Sequence, residues 1–514
     1  MKEIDRRTIK EYGIPSLVLM ERAALEVVNE AEKILVSKFG TVKCSVWVAC
    51  GLGNNGADGV AAARMLFLRG AKVTIILPEH GGRMSPEMKI QLSIVEKLGI
   101  QVYSVDEFVP TSCDLILDAV FGIGLARPVE GNYKKLLELI LAQEDIAVIS
   151  VDIPSGISSE TGEVMGCAIC ADVTVTFGER KLGQTLFPGR DYCGRLVIAD
   201  IGFVPHTPEM MDSYVCAHTK EDLHRIPRRR STSHKGSCGK VLMIAGSKNM
   251  AGAACFAARA AYRTGAGLVK VMTVEENRSI LQEKIPEAIL SVYDSQWAES
   301  HPVEFREEIR QQTEWADVIV LGPGLGMEPY ARELVEAVLT DAYVPIIFDA
   351  DAINLAAKYP HLKGYFTENI ILTPHLAECA RLTETSIHMI KENLIQTAKE
   401  LSEEYGVTCV LKDAATVTAR KDGKVFVNTS GSPAMAKGGS GDVLCGVIAG
   451  LAGMGMEECD AASLGVYVHG LAGEVAARKY GVHSVLASEL ADCVGEVINE
   501  TVSSRICENT FGLH

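Results

Sequence analysis

Residues 437–442 read Lys-Gly-Gly-Ser-Gly-Asp and lead directly into the apolar stretch 443–451. Glycines let the backbone bend at the start of a helix, where free N–H groups and the positive end of the helix dipole attract an anion. The motif therefore predicts a cradle for phosphate. Asp442 follows at once, and a carboxylate in this place can take a proton from a hydroxyl that attacks phosphorus. The alternative is that Asp442 only caps the helix.

Length and composition limit the class of protein. A chain of 514 residues is too long for one core, so we expect at least two domains, and 47% hydrophobic residues are ample to fill them. The net charge of −16 argues against a nucleic-acid partner, because phosphate backbones are held by clustered Lys and Arg. The first residues carry no apolar signal region, so we expect a cytoplasmic protein whose fifteen cysteines are reduced. The weakly polar stretch 443–456 is too short for a membrane span, which needs about 18 apolar residues.

The chain alternates short β-branched runs with longer amphipathic segments, the pattern of a parallel sheet covered by helices. It does so twice, with a break near residues 205–222, and this predicts two α/β domains of three layers each. Residues 421–424 carry the turn residues of a β-hairpin. The predicted strands are 44–50, 72–77, 114–120, 146–153, 173–177 and 195–201 in the first half, and 241–245, 318–321, 345–348, 370–372 and 407–411 in the second. The helices predicted in the first half are 16–36, 60–68, 86–98 and 133–142.

The first half has its own glycine loop, which reads Gly-Leu-Gly-Asn-Asn-Gly-Ala-Asp-Gly at residues 51–59. The loop follows a strand, precedes a helix and satisfies G-x-G-x-x-G, with Glu79 about where an acid would bind a ribose. This pattern favours an NAD-dependent dehydrogenase. The side chains of Asn54, Asn55 and Asp58 argue against that interpretation, since a loop that only approaches a pyrophosphate through its backbone does not require them.

Two further acids, Asp118 and Asp152, end later strands of the first half. The carboxyl ends of parallel strands converge on one crevice, so Asn55 and Ser155 can meet these acids there. Oxygen atoms gathered in this way suit a hard cation, and a remaining acid suits proton transfer. The alternative is that each aspartate merely caps the turn after its strand.

Ordered motifs in both halves resemble the bifunctional NAD(P)H-hydrate repair enzyme family. The motifs are residues 54–58, 118–124, 151–156, 234–239, 322–326, 372–375, 378, 412–416 and 438–442. The resemblance implies an epimerase domain with a Rossmann-like sheet at 1–210, fused to a dehydratase domain of ribokinase-like fold at 221–505. One departure is Ala57, where the family commonly has Gly, and its methyl group is tolerated only if the backbone φ is negative.

For the first half, the resemblance implies epimerisation of the R and S forms of hydrated NADH and NADPH (NADHX and NADPHX). Asp152 would act as the acid/base group, and Asn55, Asp118 and Ser155 would hold a potassium ion. The residues that would bind the hydrate are Asn54, Asn55, Gly56, Ala57, Asp58, Gly122, Ile123, Gly124, Leu125, Ala126, Arg127, Pro128 and Asp152.

For the second half, the resemblance implies dehydration of the S hydrate with ADP or ATP and magnesium. Hydroxide is a poor leaving group, because the pKa of water is about 15.7. Phosphorylation first gives a leaving group whose relevant pKa is about 6. Asp442 would be the base that activates the hydroxyl. The residues that would bind the hydrate are Ala253, Gly324, Gly326, His375 and Asp442. The residues that would bind the nucleotide are Lys412, Asp413, Ala414, Ala415, Thr416, Lys437, Gly438, Gly439, Ser440 and Gly441.

Two alternatives stay open on the sequence. His375 can equally be a core histidine without a ligand. The whole chain can be a small-molecule kinase of the ribokinase-like class, fused to a module that binds nicotinamide nucleotides and releasing a stable phosphorylated product. For the repair enzyme and for the kinase alike, we expect small-molecule partners, no membrane partner and a homo-oligomer.

Overall fold

The computed structural model describes the backbone of residues 1–207 and 215–510 and the side chains up to residue 499. The chain divides into two compact units, Met1–Met211 and Asp212–His514. The end predicted for the first domain, at 210, lies outside the described residues.

The first unit is a three-layer α/β structure around a parallel sheet of order β3-β2-β1-β4-β5-β6-β7. Its strands are β1 (Ser45–Cys50), β2 (Lys72–Leu77), β3 (Gln101–Ser104), β4 (Leu115–Ala119), β5 (Ala147–Val151), β6 (Val173–Phe177) and β7 (Arg195–Ala199). Its helices are α1 (Lys2–Lys10), α2 (Ser16–Phe39), α3 (Asn54–Leu68), α4 (Pro86–Lys97), α5 (Gly131–Leu141) and α6 (Gly189–Tyr192).

The three layers of this unit follow from the alternation of side chains along β1, which packs against helices on both faces of the sheet. Val46 and Val48 pack with α2, α3 and α4 in one core, whereas Trp47 and Ala49 pack with α5 in a second core. Because successive side chains of a strand point to opposite faces, one apolar strand supplies both cores. The strand order reverses between β1 and β4, and this switch point opens the crevice in which such sheets bind ligands.

All six strands predicted for this unit are confirmed, two of them to the residue and the others with ends that differ by at most two residues. The edge strand β3 and the helix α1 were not predicted, because both are short and largely polar. The prediction that helix α3 begins near residue 60 was wrong. It begins at Asn54, so the asparagines of the glycine loop form its first turn. Ala57 therefore has helical backbone, and its methyl group is fully buried in the core, which removes the objection to an alanine there.

The second unit is built on a sheet of order β11-β10-β9-β12-β13-β14-β15-β16-β17-β8. Its strands are β8 (Val215–Cys216), β9 (Lys240–Ile244), β10 (Leu268–Val274), β11 (Ile289–Tyr293), β12 (Val318–Leu321), β13 (Ile346–Phe348), β14 (Ile370–Leu372), β15 (Thr408–Leu411), β16 (Val417–Ala419) and β17 (Val425–Val427). Its helices are α7 (Ala251–Thr264), α8 (Arg278–Lys284), α9 (Ser295–Ser300), α10 (Pro302–Trp315), α11 (Pro329–Asp341), α12 (Asp351–Lys358), α13 (Leu376–Thr383), α14 (Ile387–Glu392), α15 (Leu394–Tyr405), α16 (Ser440–Gly453), α17 (Glu458–Tyr480) and α18 (Ala487–Thr510).

The seven strands from β11 to β15 are parallel, while β16 pairs antiparallel with both β15 and β17. The predicted hairpin at 421–424 is confirmed, since the Arg420 N–H donates to the Lys424 carbonyl across the turn. The predicted strands of this half are present, whereas β10 and β11 were missed because polar residues interrupt their apolar runs. Strand β8 pairs with β17 and already belongs to this sheet, ahead of the domain start predicted at 221.

Helix α16 is packed unusually close to α7, because two of its glycines leave no room for a side chain. A Cβ at Gly446 would lie 2.2 Å from the carbonyl oxygen of Ala257, and one at Gly450 would lie 2.6 Å from the Cβ of Thr264. This close contact fixes the position of the glycine motif that precedes α16.

Within the described residues no helix is long and apolar enough to cross a membrane. The cysteines described there are free, including Cys167 and Cys170, which have C-x-x-C spacing.

Candidate active sites

The first unit contains a cavity of about 610 Å³ at the carboxyl end of its sheet. Helix α3, the loop after β4 and the loop after β5 each contribute to its wall, as the switch point predicts. Of the predicted site residues, Asn54, Asn55, Asp58, Gly122, Ile123, Gly124, Leu125 and Asp152 line this cavity. Gly56, Ala57, Ala126, Arg127 and Pro128 do not line it.

Asp152 lies in the wall of this cavity, in a left-handed backbone conformation with φ of 68°. Lys181 places its Nζ 2.5 Å from Oδ1 of Asp152, and both side chains are almost completely buried. The same ammonium donates to Thr176 Oγ1 at 2.7 Å and to the Phe177 carbonyl at 3.0 Å. A buried ion pair of this kind is stable only when its hydrogen bonds are satisfied, and the ammonium of Lys181 donates three.

Gln184 ties the two partners together through the backbone. Its Nε2 donates to the Asp152 carbonyl at 2.6 Å, and its Oε1 accepts from the Lys181 N–H at 2.9 Å. The pair of Asp152 and Lys181 is therefore held in place from both ends.

Asp58 lies in the same wall, in the first turns of α3. Burial raises its pKa well above the ordinary value, and the negative charge of Asp152 raises it further. The protonated form of Asp58 is favoured for this reason. The cavity thus combines a carboxylate that is paired with a cation and a carboxyl group that tends to stay neutral.

Asp118 lies behind the cavity wall, fully buried. Its Oδ2 accepts from Ser150 Oγ and from the Ser155 N–H, both at 2.8 Å, whereas its Oδ1 has only a long contact of 3.4 Å with the Val120 N–H. Burial raises the pKa of Asp118, although these hydrogen bonds oppose the rise. A cation beside the carboxylate would favour the charged form.

The donor set around Asp118 fits a monovalent cation. Asn55 packs against Gly122, since a Cβ added to Gly122 would lie 3.1 Å from Oδ1 of Asn55. The buried Nδ2 of Asn55 has no hydrogen-bond partner in the described part of the chain. Ser155 Oγ accepts from the Phe121 N–H at 2.8 Å. The described residues hold no group of three His, Cys, Asp or Glu arranged for a metal. One carboxylate with neutral oxygens suits potassium better than a divalent ion.

The second unit presents the phosphate cradle at the start of α16. Gly439 is the N-cap with φ of 95°, which favours glycine, and Ser440, Gly441 and Asp442 form the first helical turn. The Ser440 N–H donates to the Lys437 carbonyl at 3.3 Å. The next N–H groups of a first turn lack partners within the helix, so those of Gly441 and Asp442 can bind an anion.

Asp442 is surrounded by other acids. Burial raises its pKa to about 7, and the neighbouring charge of Asp349 contributes to the rise while Lys412 opposes it. Asp442 forms no ion pair with the described side chains. A carboxylate with a pKa near neutrality is well matched to accept a proton at physiological pH.

Asp349 and Lys412 form the charged floor of this site. Lys412 Nζ donates to Asp349 Oδ1 at 2.6 Å and lies 4.0 Å from Glu378 Oε2, while Cys445 Sγ lies 3.1 Å from Asp349 Oδ2. Burial alone would lower the pKa of Lys412, but the charge of Asp349 raises it above the ordinary value. A Cβ on Gly441 would lie 3.5 Å from Lys412 Nζ, so the ammonium reaches the cradle itself.

His375 is the N-cap of α13 and does not lie in the core, since half of its side chain is exposed. Its Nδ1 accepts from the N–H groups of Ala377 and Glu378, at 3.0 and 3.2 Å. Its Nε2 lies 3.2 Å from Glu378 Oε1. Burial lowers the pKa of His375 and raises that of Glu378 to about 7. The neutral ring with its proton on Nε2 satisfies these contacts.

The glycine loop after β12 adjoins helix α7. A Cβ on Gly324 would lie 2.9 Å from the Cβ of Ala253, so these two predicted residues lie together. The Gly326 N–H donates to Asp351 Oδ2 at 2.9 Å. In the predicted nucleotide segment, Asp413 and Ala414 are exposed whereas Ala415 and Thr416 are buried. Lys437 Nζ donates to the His483 carbonyl at 2.8 Å.

Sequence reasoning missed two charged residues of these sites, Lys181 and Asp349. Asp349 directly follows β13, so the position of an acid after a parallel strand was a usable signal. Lys181 carried no such signal, because it lies beyond β6 in an irregular segment and meets Asp152 only in three dimensions.

The chain is a fused α/β enzyme whose first unit has a cavity with two carboxyl groups in its wall and whose second unit has a glycine cradle beside an acid. A family model described as NAD(P)H-hydrate dehydratase matches residues 241–495, and one described as YjeF-related protein N-terminus matches residues 16–183. The chain belongs to the family of bifunctional NAD(P)H-hydrate repair enzymes.

Relatives of that name match along nearly the whole chain. The protein from Thermofilum pendens is 36% identical over 94% of this chain and 91% of its own length. The protein from Escherichia coli is 34% identical over 89% of this chain and 86% of its own. The solved ADP/ATP-dependent NAD(P)H-hydrate dehydratase from Bacillus subtilis, crystallised with ATP and Mg²⁺, is 30% identical with a TM-score of 0.49, over 56% of this chain and 99% of that chain.

The predicted α/β fold class is confirmed for both units, which are built on a parallel and a largely parallel sheet. A simple small-molecule kinase fused to a binding module is not favoured. The two family models match the two halves of this chain, and relatives named as repair enzymes match along nearly all of it.

Proposed function

We propose that this protein repairs hydrated nicotinamide cofactors. The first unit interconverts the R and S forms of NADHX and NADPHX, and the second dehydrates the S form with ADP or ATP. The observation that carries the proposal is Asp442, a partly buried carboxyl group with a pKa of about 7 at the mouth of a glycine cradle. A group in this state and place is suited to take the proton from a hydroxyl that attacks a phosphoryl group.

Epimerisation moves a proton on or off the hydroxyl of the carbon beside the ring nitrogen, whether the hydroxyl departs or the ring opens. Asp152 is the group that accepts this proton, because its carboxyl group lies in the cavity wall and Lys181 Nζ holds it in place at 2.5 Å. Asp58, whose pKa is raised by burial, supplies a proton in the same cavity. Two carboxyl groups whose environments differ in this way serve as base and acid.

Asn55, Asp118 and Ser155 would hold a potassium ion, which would supply positive charge near the loop after β4. These residues fix that loop from below through the bond from the Phe121 N–H to Ser155 Oγ. The loop carries Gly122, Ile123, Gly124 and Leu125 into the cavity wall.

In the second unit Asp442 removes the hydroxyl proton, and the oxygen attacks the terminal phosphorus of the nucleotide. The bond from that phosphorus to its bridging oxygen breaks, and the nucleotide leaves with one phosphate fewer, as AMP from ADP or as ADP from ATP. The N–H groups of Gly441 and Asp442 and the ammonium of Lys412 stabilise the charge of the transferred group. Loss of phosphate from one ring carbon and of a proton from its neighbour restores the double bond of the dihydronicotinamide. Magnesium bound with the nucleotide would offset the negative charge of its phosphates, and it would need few protein ligands because it binds mainly to phosphates and water.

A direct experiment tests the proposal. The protein is incubated with mixed R and S hydrates and either ADP or ATP, and the absorbance of the regenerated dihydronicotinamide is followed. We expect complete conversion of both forms with at least one of the two nucleotides. A stable phosphorylated product without dihydronicotinamide would contradict the proposal. The choice of donor, the potassium ion and the homo-oligomer stay predictions.

A further inference from the structure

A second concave surface of the second unit has received no role so far. It is a cavity of about 470 Å³ lined by Met327, Asn354, Ala357, Lys358 and Arg381. Lys358 and Arg381 both line this cavity, in a chain whose net charge is −16. Their positive charge attracts an anionic ligand to the cavity.

The cavity is connected to the candidate hydrate site by a chain of hydrogen bonds. The Gly326 N–H donates to Asp351 Oδ2 at 2.9 Å, and Asn354 Nδ2 lies 3.3 Å from Asp351 Oδ1. Arg381 Nε then donates to Asn354 Oδ1 at 2.9 Å. Asp351 and Asn354 therefore fix the guanidinium relative to the glycine loop.

Arg381 also shares helix α13 with the other side of the hydrate site, since His375 is the N-cap of that helix. The positive charge of Arg381 acts on both His375 and Glu378. Arg381 uses Nε to bond Asn354, and in the described part of the chain its terminal nitrogens form no ion pair. Lys358 lies over the ring of Tyr359 at 5.3 Å and likewise forms no ion pair there.

We infer that Lys358, Arg381 and Asn354 form an anion subsite that binds a phosphate group of the hydrated dinucleotide. This inference rests on the proposed function, which puts the reacting ring at Asp442 and the donor phosphates on the cradle. Gly326 is bonded to Asp351, and His375 caps the helix that carries Arg381, so these two residues connect the hydrate site to the cavity. A guanidinium oriented through Nε presents its other N–H groups to a phosphate in the fork geometry that arginine favours.

Two phosphate groups of the substrate have this chemistry, the diphosphate bridge and the 2′-phosphate of NADPHX. They are distinguished by comparing the two hydrates. A subsite for the bridge affects NADHX and NADPHX equally, whereas a subsite for the 2′-phosphate affects only NADPHX.

The test uses the full chain with Lys358→Met, Arg381→Met and the double variant, together with Lys391→Met as a control at an exposed lysine that does not line the cavity. KM and kcat of the dehydratase are measured for S-NADHX and S-NADPHX. Each lost contact with a phosphate should raise the KM of the affected hydrate about tenfold. The kcat, the KM for ADP or ATP and the epimerase activity should stay unchanged, and the control should match the parent.

Two results would overturn the inference. One is a KM for both hydrates that stays within twofold of the parent in the double variant. The other is a rise in the KM for ADP or ATP as large as that for the hydrate, which would assign the cations to the phosphoryl donor. Binding of NADPH and NADH, measured by calorimetry, gives a reading without turnover. Weaker binding to the double variant supports the subsite even if the parent fails to dehydrate the hydrate, and equal binding to parent and double variant contradicts it.

Discussion

The two sites prepare an aspartate for proton transfer in opposite ways. In the first unit Asp152 is paired with the buried ammonium of Lys181 at 2.5 Å. In the second, the described side chains form no ion pair with Asp442, and burial together with the charge of Asp349 raises its pKa to about 7. A neighbouring cation stabilises a carboxylate, whereas burial and like charge favour the neutral acid. One residue type thus serves two chemistries because its surroundings differ.

The largest effect should come from Asp442→Asn. Asparagine has nearly the same shape and caps a helix about as well, but it cannot accept a proton. We expect dehydratase turnover to fall by roughly a hundredfold to ten-thousandfold, while nucleotide binding and epimerisation persist. Turnover within a few-fold of the parent would mean that Asp442 is only a cap.

Stability against pH is the control for this variant. A carboxyl group whose folded-state pKa is raised to about 7 takes up protons on folding, so the parent loses stability as pH rises from about 4 to about 7. Asp442→Asn removes this loss. We expect it to be more stable than the parent at pH 8, by on the order of 1 kcal/mol. Denaturant unfolding at pH 5 and pH 8 measures the difference.

Lys181→Met tests the other half of the comparison. Without the ammonium, the buried carboxylate of Asp152 loses its ion-pair partner at 2.5 Å, so epimerisation should slow by roughly tenfold to a hundredfold while the dehydratase keeps its rate. Lys181→Arg keeps the charge and should restore part of the activity. Equal activity losses for Met and Arg would mean that the charge of Lys181 is not needed for epimerisation.

Asp118→Ala should have a smaller and selective effect. If Asn55, Asp118 and Ser155 hold potassium, the variant should weaken epimerisation and its dependence on potassium, while the dehydratase keeps its rate. The two activities are measured on the same preparation with potassium replaced by sodium. Equal loss of both activities would indicate misfolding instead.

The separation of the two units gives the mildest test. A fragment that begins at residue 215 keeps β8 on the edge of β17 and should dehydrate the S hydrate at about the rate of the full chain. A fragment that begins at 221 lacks that strand, and we expect a lower melting temperature. Conversion of the R form by either fragment, faster than its spontaneous epimerisation, would show that the division of labour is wrong.

Much of the fold was predictable because apolar strands are local signals. Val318–Leu321 and Val173–Phe177 were predicted to the residue, since each is an unbroken β-branched or apolar run. Strand β11 was missed because a serine interrupts its apolar run and most of its residues are partly exposed. The asparagines at 54 and 55 read as a loop, yet they start α3, because tertiary contacts decide where a glycine-rich turn becomes a helix.

The sequence by itself determined the two α/β units, the glycine cradle with Asp442, and the acids that follow parallel strands. Turn-forming residues and the succession of apolar runs can be recognised from neighbouring residues alone. Only the tertiary structure decided which groups prepare these acids. Lys181 lies 29 residues from Asp152, and Asp349 lies 63 residues from Lys412 and 96 from Cys445, so no local pattern connects them. Their electrostatic effect depends on distance and burial in the folded chain, and both arise only when the strands have been brought side by side.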